Sequence, residues 1–485
     1  MLQTKHAIKR NFPLLGNFRY LLELIRPEIN QYFVESNTSG TPFSRDERSV
    51  VYQRAKGELD TIPFGTQKNV YEVGYVWVNH SIMPTKADPE KMRVIVGGPD
   101  CKKPYSASIL NIGAMSFGAL SSNAVLALNE GARLDNFAHN TGEGGLSKYH
   151  LAGGGDIIWQ IGTGYFGCRT KDGKFDPGQF QEKSQHPHVK MIEIKLSQGA
   201  KPGGGGILPA AKVSREISQA RGVPMGQDVH SPSRHSSFDS PIGLLEFVAK
   251  LRDLSGGKPV GFKLCIGKRR EFLAIVKAML KTGITPDFIA VDGSEGGTGA
   301  APLEFTNYLG CPLMEGLMFV QNSLKGASLR PKIKIFASGK VTTGFGMIHR
   351  LAVGADVIYS ARGMMMALGC IQALKCNTNE CPVGVTTQDP GLVVGLVVPE
   401  KNKRIASYHR QTVKSLSQLI GAMGLEHSSE LRPWHIMKRV SSSEIRNYAE
   451  IYEFLKDGEL LSNPPASFRR AWDLAREESF AHEGD

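Results

Sequence analysis

The chain has 485 residues, of which 41% are hydrophobic and 21% charged, and this balance excludes a disordered protein because it supplies enough apolar side chains for more than one core. Its 54 glycines show no three-residue period, which excludes a collagen-like fibre. The formal net charge of +12 comes from dispersed lysines and arginines without a long run of like charges, so it does not indicate a nucleic-acid-binding protein.

The N-terminus and the apolar runs exclude two further classes. No apolar run approaches the roughly 20 residues that a transmembrane helix needs. The first 23 residues mix charged side chains such as Lys9, Arg10 and Glu23 with apolar ones, and they lack the uninterrupted apolar region of a signal peptide. We therefore expect no membrane span in the chain and a cytoplasmic location.

The elements predicted in chain order fall into three regions. Residues 1–100 contain a strand-like, aromatic stretch at 70–78 between irregular connections, which predicts an N-terminal cap region. Residues 101–395 alternate short apolar runs with helical patterns. Helical patterns at 401–425 and 443–457 predict a C-terminal helical appendage over 396–485.

The middle region carries eight predicted strands and at least five helices. The strands are predicted at 109–114, 136–140, 157–162, 191–196, 260–264, 288–291, 333–337 and 357–360, and the helices at 123–133, 243–254, 271–281, 311–324 and 343–353. Strands that alternate with helices are typical of an α/β fold with a parallel sheet, and eight of them favour a closed (β/α)8 TIM barrel. An open doubly wound sheet is the alternative, but no G-x-G-x-x-G fingerprint follows an early strand.

Polar, glycine-rich segments follow six of the eight predicted strands, at 115–118, 141–145, 198–206, 293–299, 338–339 and 361–363. Although glycine often serves only a turn, catalytic groups of such barrels gather at the carboxyl ends of the strands. The loops after the seventh and eighth strands frequently bind phosphate through backbone N–H groups. The segments Ser338, Gly339 and Lys340, and Ala361, Arg362 and Gly363, are therefore predicted to bind a phosphorylated cofactor.

Seven cysteines in so long a chain do not form a disulfide scaffold. Cys370, Cys376 and Cys381 are spaced C-x5-C-x4-C, which is one ligand short of a structural zinc site or a four-cysteine cluster. The spacing favours an iron–sulfur cluster with one iron fewer than the common four-cysteine cluster. A zinc site and three reduced structural thiols are the alternatives. A phosphorylated cofactor next to such a cluster suggests flavin mononucleotide (FMN), which exchanges electrons singly or as hydride.

Four cations are candidates for binding anionic groups. Lys195 and Lys263 lie in or end apolar strands, where a buried charge needs an anionic partner, so each either faces a cofactor or extends to the barrel rim. Lys201 and Arg221 have the right chemistry for a dicarboxylate, one as a point charge and the other as a bidentate fork, although either alone is typical of a surface.

Five motifs occur in order between about residues 100 and 395: Met115-Ser-Phe-Gly118, Asn140-Thr-Gly-Glu-Gly-Gly145, Gln198-Gly-Ala-Lys-Pro-Gly203, Gly296-Gly-Thr-Gly-Ala300 and Cys370-x5-Cys376-x4-Cys381-Pro-Val-Gly-Val385. Together they resemble the FMN-binding synthase domain of the glutamate synthase large subunit, and more closely the stand-alone chains of that family. The resemblance implies a (β/α)8 barrel with FMN and a [3Fe-4S] cluster on the three cysteines. In the family, 2-oxoglutarate and ammonia form 2-iminoglutarate, which reduced FMN converts to L-glutamate, an oxidoreductase reaction of the CH–NH2 class.

The resemblance also implies roles for individual residues. Gln198, Lys201 and Arg221 would hold the oxo-acid, and Glu143 would lie near the ammonia entry. The residues implied to surround FMN are Met115, Ser116, Gln160 and Lys263 at its ring, and Ser338, Gly339, Ala361, Arg362 and Gly363 at its phosphate.

Departures from the family pattern leave the substrate and the partners open. The family's loop often reads KPGEGGQLP, whereas Gly204 and Ile207 replace its Glu and Gln here. Neither a glutaminase nor an NAD(P)H domain is recognised, so we expect ammonia or an amine from a separate subunit and electrons from a partner, a ferredoxin or a reductase subunit. The alternatives are a related FMN/iron–sulfur oxidoreductase on another oxo- or amino acid, such as an N-methylglutamate synthase-like enzyme, and a non-catalytic electron-transfer subunit.

Overall fold

A closed barrel of eight parallel strands forms the centre of the computed structural model, which describes residues 6–58 and 61–481. The strands are β1 (Leu110–Ile112), β2 (Ala138–Asn140), β3 (Asp156–Ile161), β4 (Val189–Lys195), β5 (Val260–Leu264), β6 (Phe288–Asp292), β7 (Lys334–Ser338) and β8 (Val357–Ser360). Each strand pairs with the next one along the chain, and β8 pairs with β1. All eight predicted strands and the (β/α)8 class are confirmed, and the open sheet is excluded.

Helices surround the barrel: α1 (Ser122–Leu134), α2 (Lys148–Ala152), α3 (Pro177–Ser184), α4 (Pro241–Leu254), α5 (Arg269–Thr282), α6 (Leu313–Gly326), α7 (Gly344–Ala352) and α8 (Val398–Ala422). Side-chain oxygens of Ser121, Ser240 and Thr343 cap the first turns of α1, α4 and α7 by accepting backbone hydrogen bonds. Shorter helices lie in the connecting loops, at Arg215–Arg221, Leu303–Tyr308, Arg362–Leu368 and Pro390–Val393. The five helices predicted between residues 123 and 353 are confirmed.

The amino end of the barrel is closed by a hairpin. Its strands, Arg93–Val96 and Tyr105–Ser108, pair antiparallel and place Val96 and Tyr105 in one buried cluster with barrel residues such as Phe288. Every residue of β5 and β6 is buried, as expected for parallel strands that are covered on both faces. The barrel interior is therefore filled at this end, and a ligand site is left to the carboxyl end.

A buried ion pair joins α4 to β6. Arg252 donates from Nε and Nη2 to Oδ2 of Asp287 at 3.1 and 3.0 Å, and both side chains are at most 5% exposed. We expect Arg252→Met to lower the free energy of unfolding by about 3–5 kcal/mol, because it leaves an uncompensated buried carboxylate. Urea unfolding measures the loss. The exposed Glu246 on the same helix gives the control, since Glu246→Met should change stability by no more than about 0.5 kcal/mol.

The region before the barrel is more helical than its sequence pattern predicts. It contains the helices Ala7–Asn11, Pro13–Ile29 and Arg45–Lys56, with a π-helical turn at Asn30–Val34. Of the strand-like stretch at 70–78, only Val76–Val78 is a strand, and it pairs with Ile436–Arg439 from the C-terminal region. Its partner is therefore 360 residues away, a pairing that local pattern cannot reveal.

After the barrel, the first predicted helix is present and the second is not. The pattern at 401–425 corresponds to α8, which packs against α1, α7 and Arg45–Lys56. The stretch 443–457 forms instead the strand Ile445–Asn447, paired with Ile436–Arg439, and the single-turn helix Tyr448–Ile451 capped by Asn447. The helices Glu459–Ser462 and Ala466–Leu474 follow. The division at residues 100 and 395 stays a prediction.

Helices long and apolar enough to cross a bilayer are not found in the described part of the chain.

Candidate active site at the carboxyl end of the barrel

A cavity of about 480 Å³ lies at the carboxyl ends of the strands. A smaller space of about 40 Å³ adjoins it and shares Lys263, Ala361 and Arg362 with it. Every predicted site residue lines one of the two. The larger cavity is lined by Met115, Ser116, Glu143, Gln160, Gln198, Lys201, Arg221, Lys263, Ala361, Arg362, Cys370, Cys376 and Cys381, and the smaller one adds Ser338, Gly339 and Gly363.

Three cations surround one carboxylate in the larger cavity. Nζ of Lys195 lies 2.8 Å from Oε1 of Glu143 and 3.2 Å from Oε1 of Gln198. Burial alone would raise the pKa of Glu143, but the charges of Lys195, Lys201 and Arg221 outweigh it and hold the pKa below its usual value. Glu143 is therefore ionised at neutral pH, and the group as a whole carries two net positive charges.

Lys201 is buried, and no carboxylate in the described part of the chain lies at ion-pair distance from it. It is 4% exposed, and its Nζ donates to the carbonyl oxygen of Ala300 at 3.0 Å. Burial, and after it the charge of Lys195, lower the pKa of Lys201 to about 8, against the attraction of Glu143. This ammonium is thus protonated at neutral pH and has capacity for a further acceptor.

Arg221 ends the short helix Arg215–Arg221 and points one unsatisfied donor into buried space. Its Nη2 donates to the carbonyl oxygen of Phe117 at 3.2 Å, and its guanidinium lies over the Phe166 ring, 5.1 Å from the centroid. Its buried Nε has no hydrogen-bond partner among the residues that the structure describes. Burial lowers the pKa of Arg221 to about 10, so it stays cationic near pH 7. An anionic ligand would satisfy the unused donor.

Lys263 and Asp292 form a second charged pair at the ends of β5 and β6. Nζ of Lys263 lies 3.5 Å from Oδ2 of Asp292, and both side chains are about 5% exposed. The same oxygen accepts a 2.7 Å hydrogen bond from the backbone N–H of Gly199. Asp292 thereby fixes both a cavity-lining cation and the loop that carries Gln198 and Lys201.

A hydrogen-bonded network below the cavity orients Gln160. Its Nε2 donates to Oε1 of Glu193 at 2.6 Å, and Nδ2 of Asn140 donates to the same oxygen at 2.8 Å. The hydroxyl of Tyr359 donates to the other carboxylate oxygen at 3.0 Å. Because Glu193 engages the amide nitrogen, the amide oxygen of Gln160 is the atom left for a ligand in the cavity.

The smaller space is lined by the loops after β7 and β8 and by Arg362. Ala361, which precedes the helix Arg362–Leu368, makes no side-chain cap hydrogen bond to its first turn. Gly363 packs against Ser360 and the Tyr408 hydroxyl, where any Cβ would collide with both. Backbone N–H groups, a guanidinium and the absence of a side chain are what a phosphate site needs.

The three cysteines of the C-x5-C-x4-C motif are free thiols that line the larger cavity. Burial raises the pKa of Cys370 to about 11. Burial also opposes ionisation of Cys381, but the Thr386 hydroxyl and the backbone N–H groups of Thr386, Val383 and Val385 more than offset it and lower its pKa. Within residues 6–58 and 61–481, no group of three or more His, Cys, Asp or Glu side chains is placed to hold a single metal ion.

A buried lysine supports the cysteine segment from behind. Nζ of Lys212 donates to the carbonyl oxygens of Cys376 and Thr386, both at 2.7 Å. Burial lowers the pKa of Lys212, while Cys376 and Cys381 act in the opposite direction. Lys212 thus joins the loop that follows β4 to the cysteine segment, and it places a positive charge beside the sulfur atoms.

Sequence reasoning missed four residues of this region: Glu193, Asp292, Lys212 and Phe43. Glu193 was detectable as an acidic residue between Ile192 and Ile194, and Asp292 as an acidic residue at the carboxyl end of another strand. Phe43 lines both cavities from the N-terminal region and lies 4.8 Å from the Arg362 guanidinium. It had no sequence signal, because only the tertiary fold brings it there.

Most of the chain matches a known protein family. The model of the conserved region in glutamate synthase matches residues 83–426, which include the whole barrel and α8. The chain belongs to the glutamate synthase family. The family resemblance predicted from the five motifs is therefore confirmed.

Curated relatives of this glutamate synthase family member differ in how much they share with it. The glutamate synthase large subunit-like protein YerD of Bacillus subtilis is 39% identical over 486 aligned positions, and the alignment covers 92% of each chain. The archaeal glutamate synthase (NADPH) of Methanocaldococcus jannaschii is 34% identical over 322 positions, which span 66% of this chain and only 60% of that protein. The large subunit-like protein of Rhizobium meliloti is 28% identical over 402 positions, 78% and 87% of the two chains.

Solved structures resemble the family member only distantly. A double mutant of flavocytochrome b2 with pyruvate bound gives a TM-score of 0.45 at 12% identity, over 97% of this chain and 93% of that one. A mandelate oxidase with benzoyl-formic acid gives a TM-score of 0.44 at 14% identity, over 86% of this chain and 96% of that one. Likenesses at this level add nothing to the family assignment.

Proposed function

We propose that this glutamate synthase family member is an FMN-dependent oxidoreductase that reductively aminates 2-oxoglutarate to L-glutamate. Ammonia or an amine comes from outside the chain, and a partner protein supplies the electrons. The observation that carries the proposal is the charge balance of one cluster in the larger cavity, in which Lys195, Lys201 and Arg221 face the carboxylate of Glu143. A substrate dianion would neutralise this group, whereas a neutral or cationic substrate would leave buried charge unpaired.

Different side chains of the cluster would bind the substrate, protonate it and orient the ammonia. The Nε donor of Arg221 is unused and the ammonium of Lys201 has acceptor capacity left, so these two would bind the carboxylates. Lys201, with a pKa of about 8, is also suited to protonate the oxygen that leaves as water when the imine forms. Ionised Glu143 would accept a hydrogen bond from the incoming ammonia and orient its lone pair toward the carbonyl carbon of the oxo-acid.

The adjoining residues fit FMN. The free amide oxygen of Gln160 and the cation of Lys263 offer one acceptor and one positive charge to a flavin ring beside Met115 and Ser116. The residues that would hold its phosphate are Ser338, Gly339, Ala361, Arg362 and Gly363. Bound FMN would supply the two-electron reduction of the imine.

The cysteine segment fits a [3Fe-4S] cluster. Cys370, Cys376 and Cys381 line the same cavity, the donors around Cys381 favour its thiolate, and the ammonium of Lys212 offsets negative charge nearby. Such a cluster would pass single electrons from a partner protein, a ferredoxin or a reductase subunit, to the flavin.

The test is anaerobic. The purified protein is analysed for FMN, iron and sulfide, reduced stoichiometrically, and mixed with 2-oxoglutarate, ammonium or both. We expect reoxidation of the flavin only with both, L-glutamate as product, and much slower reoxidation with pyruvate, which lacks the second carboxylate. Reoxidation by neither oxo-acid would contradict the proposal and favour a non-catalytic electron-transfer subunit.

A second candidate function, with another oxo-acid or with an amine in place of ammonia, is favoured by Ile207. This side chain lines the cavity at a position where the family often has glutamine, and Gly204 replaces a glutamate in the same loop. An alkylamine such as methylamine would place its methyl group against an apolar wall.

We expect Ile207→Gln to lower kcat/KM for methylamine relative to ammonium by about tenfold, because a polar amide then replaces the apolar contact. The volume-conserving Ile207→Leu is the control and should leave the ratio within about twofold. An unchanged ratio in Ile207→Gln, with glutamate as the product from ammonium, would exclude Ile207 from amine selection.

A further inference from the structure

Within the described residues, the helix Pro13–Ile29 packs mainly against the two helical segments next to it in sequence, Ala7–Asn11 and Asn30–Val34. Gly16 is its only buried residue, and it packs against the backbone of Lys9 in the preceding helix. Residues 8–34 expose more large apolar side chains than any other stretch of this length in the described chain, with Leu14 at 86% and Phe33 at 85%. Apolar side chains exposed in one continuous block mark an interaction surface.

Most exposed apolar side chains of this helix form one stripe, and Leu24 lies outside it. At 100° per residue the stripe is about 120° wide, which is broader than the two-position seam of a coiled coil. Its members are Leu14, Leu15, Phe18, Leu21, Leu22, Ile25 and Ile29, all exposed. We call these seven residues the apolar stripe.

Basic side chains border one edge of the apolar stripe, and the acidic Glu28 borders the other. Arg19 and Arg26 fall at one edge, where long side chains can extend to a charged plane while the stripe is buried. Arg19 pairs with Glu23 at 3.6 Å, but both side chains are more than half exposed, so this pair contributes little and can be exchanged. An apolar stripe with arginines at its edge is typical of helices that lie in the interface of an anionic bilayer.

We propose that the helix Pro13–Ile29 binds this protein to the surface of an anionic lipid bilayer, with the apolar stripe inserted among the acyl chains and Arg19 and Arg26 at the phosphates. A second copy of the chain fits the stripe less well. The dimer seam that Leu14, Phe18, Leu21 and Ile25 would begin continues at Glu28, an acidic residue at an apolar position.

The helix is tied to the rest of the protein beside the cysteine segment. Nε2 of Gln31 donates to the carbonyl oxygen of Gln372 at 2.9 Å, and Nη1 of Arg48 donates to Oε1 of Gln31 at 3.0 Å. The hydroxyl of Tyr52 donates to the carbonyl oxygen of Cys370 at 2.7 Å. A bilayer-bound stripe would therefore hold the cysteine segment close to the membrane surface, where a membrane-bound electron donor could reach it.

The test is flotation of the purified full-length protein with vesicles of phosphatidylcholine alone or with an equal amount of phosphatidylglycerol. We expect binding to the anionic vesicles, at least about tenfold weaker binding to the neutral ones, and a decline with added salt. The double variant Phe18→Asp with Leu21→Asp should lose binding to both. Arg19→Gln with Arg26→Gln should lose the preference for anionic lipid.

The matched control is Leu461→Asp, because Leu461 and Leu21 are both 52% exposed and Leu461 lies on another helix. This variant should float like the parent chain, and circular dichroism should show that all variants are folded. Absence of vesicle binding by the parent protein overturns the proposal. A parent protein that is a dimer and does not bind vesicles also overturns it if the Phe18→Asp, Leu21→Asp variant is a monomer. The apolar stripe would then bind a second copy of the chain.

Discussion

Lys201→Met is expected to lower kcat/KM for 2-oxoglutarate by about a hundred- to a thousandfold. Removal of one partner from a buried charge pair costs about 2–5 kcal/mol, and 1.4 kcal/mol corresponds to a factor of ten. Methionine keeps the length of the side chain, so the loss reports the charge and the donated proton. Steady-state rates with the oxo-acid and ammonium varied separately measure it. FMN content and the urea midpoint should stay as in the parent protein.

The same side chain predicts the pH dependence. Because burial lowers the pKa of Lys201 to about 8, its cation is present below that pH and is lost as the pH rises through it. The value of kcat/KM for the oxo-acid should therefore fall above about pH 8, tenfold per pH unit at the limit. In Lys201→Met this decline should vanish. A parent enzyme with a flat profile up to pH 10 would show that Lys201 does not bind the dianion.

The barrel was predictable because its strands are short and mostly apolar. Val260–Leu264 and Phe288–Asp292 are buried along their whole length, so each reads as an apolar run between two amphipathic helices. Strands at the periphery gave a weaker pattern. The pair of Val76–Val78 with Ile436–Arg439 is only partly buried, and it depends on a contact between the two ends of the chain. The helix predicted at 443–457 was wrong because part of this stretch, Ile445–Asn447, instead pairs with the nearby strand Ile436–Arg439.

The site was predictable in its residues but not in its pairings. Chemistry at the carboxyl ends of strands, together with the five motifs, brought Glu143, Lys201 and Arg221 into one prediction. The sequence could not show that Lys195 pairs with Glu143 and Lys263 with Asp292. The partners of each pair come from separate segments of the chain, and only the folded structure shows which side chains meet. The charge balance on which the proposed substrate depends follows from these pairings and thus required the structure.

Cys376→Ala is expected to abolish the iron–sulfur cluster and with it the supply of electrons from a one-electron donor. Three cysteines are the whole thiolate set of the proposed cluster, so loss of one leaves two ligands, which do not hold it. Iron and sulfide analysis and electron paramagnetic resonance of the oxidised protein measure the cluster. Turnover with a reduced ferredoxin should fall by more than about a hundredfold.

The flavin half of the reaction separates this effect from unfolding. Cys376→Ala protein reduced chemically should still be reoxidised by 2-oxoglutarate with ammonium, because Lys201, Arg221 and the proposed flavin residues are unchanged. Cys101→Ala is the matched control, since Cys101 is a free thiol that lines neither cavity. It should keep its iron and its ferredoxin-dependent rate. Full iron content in Cys376→Ala would show that the cluster is held elsewhere, whereas loss of both iron and FMN would mean that the cysteine segment supports the fold of the flavin site itself.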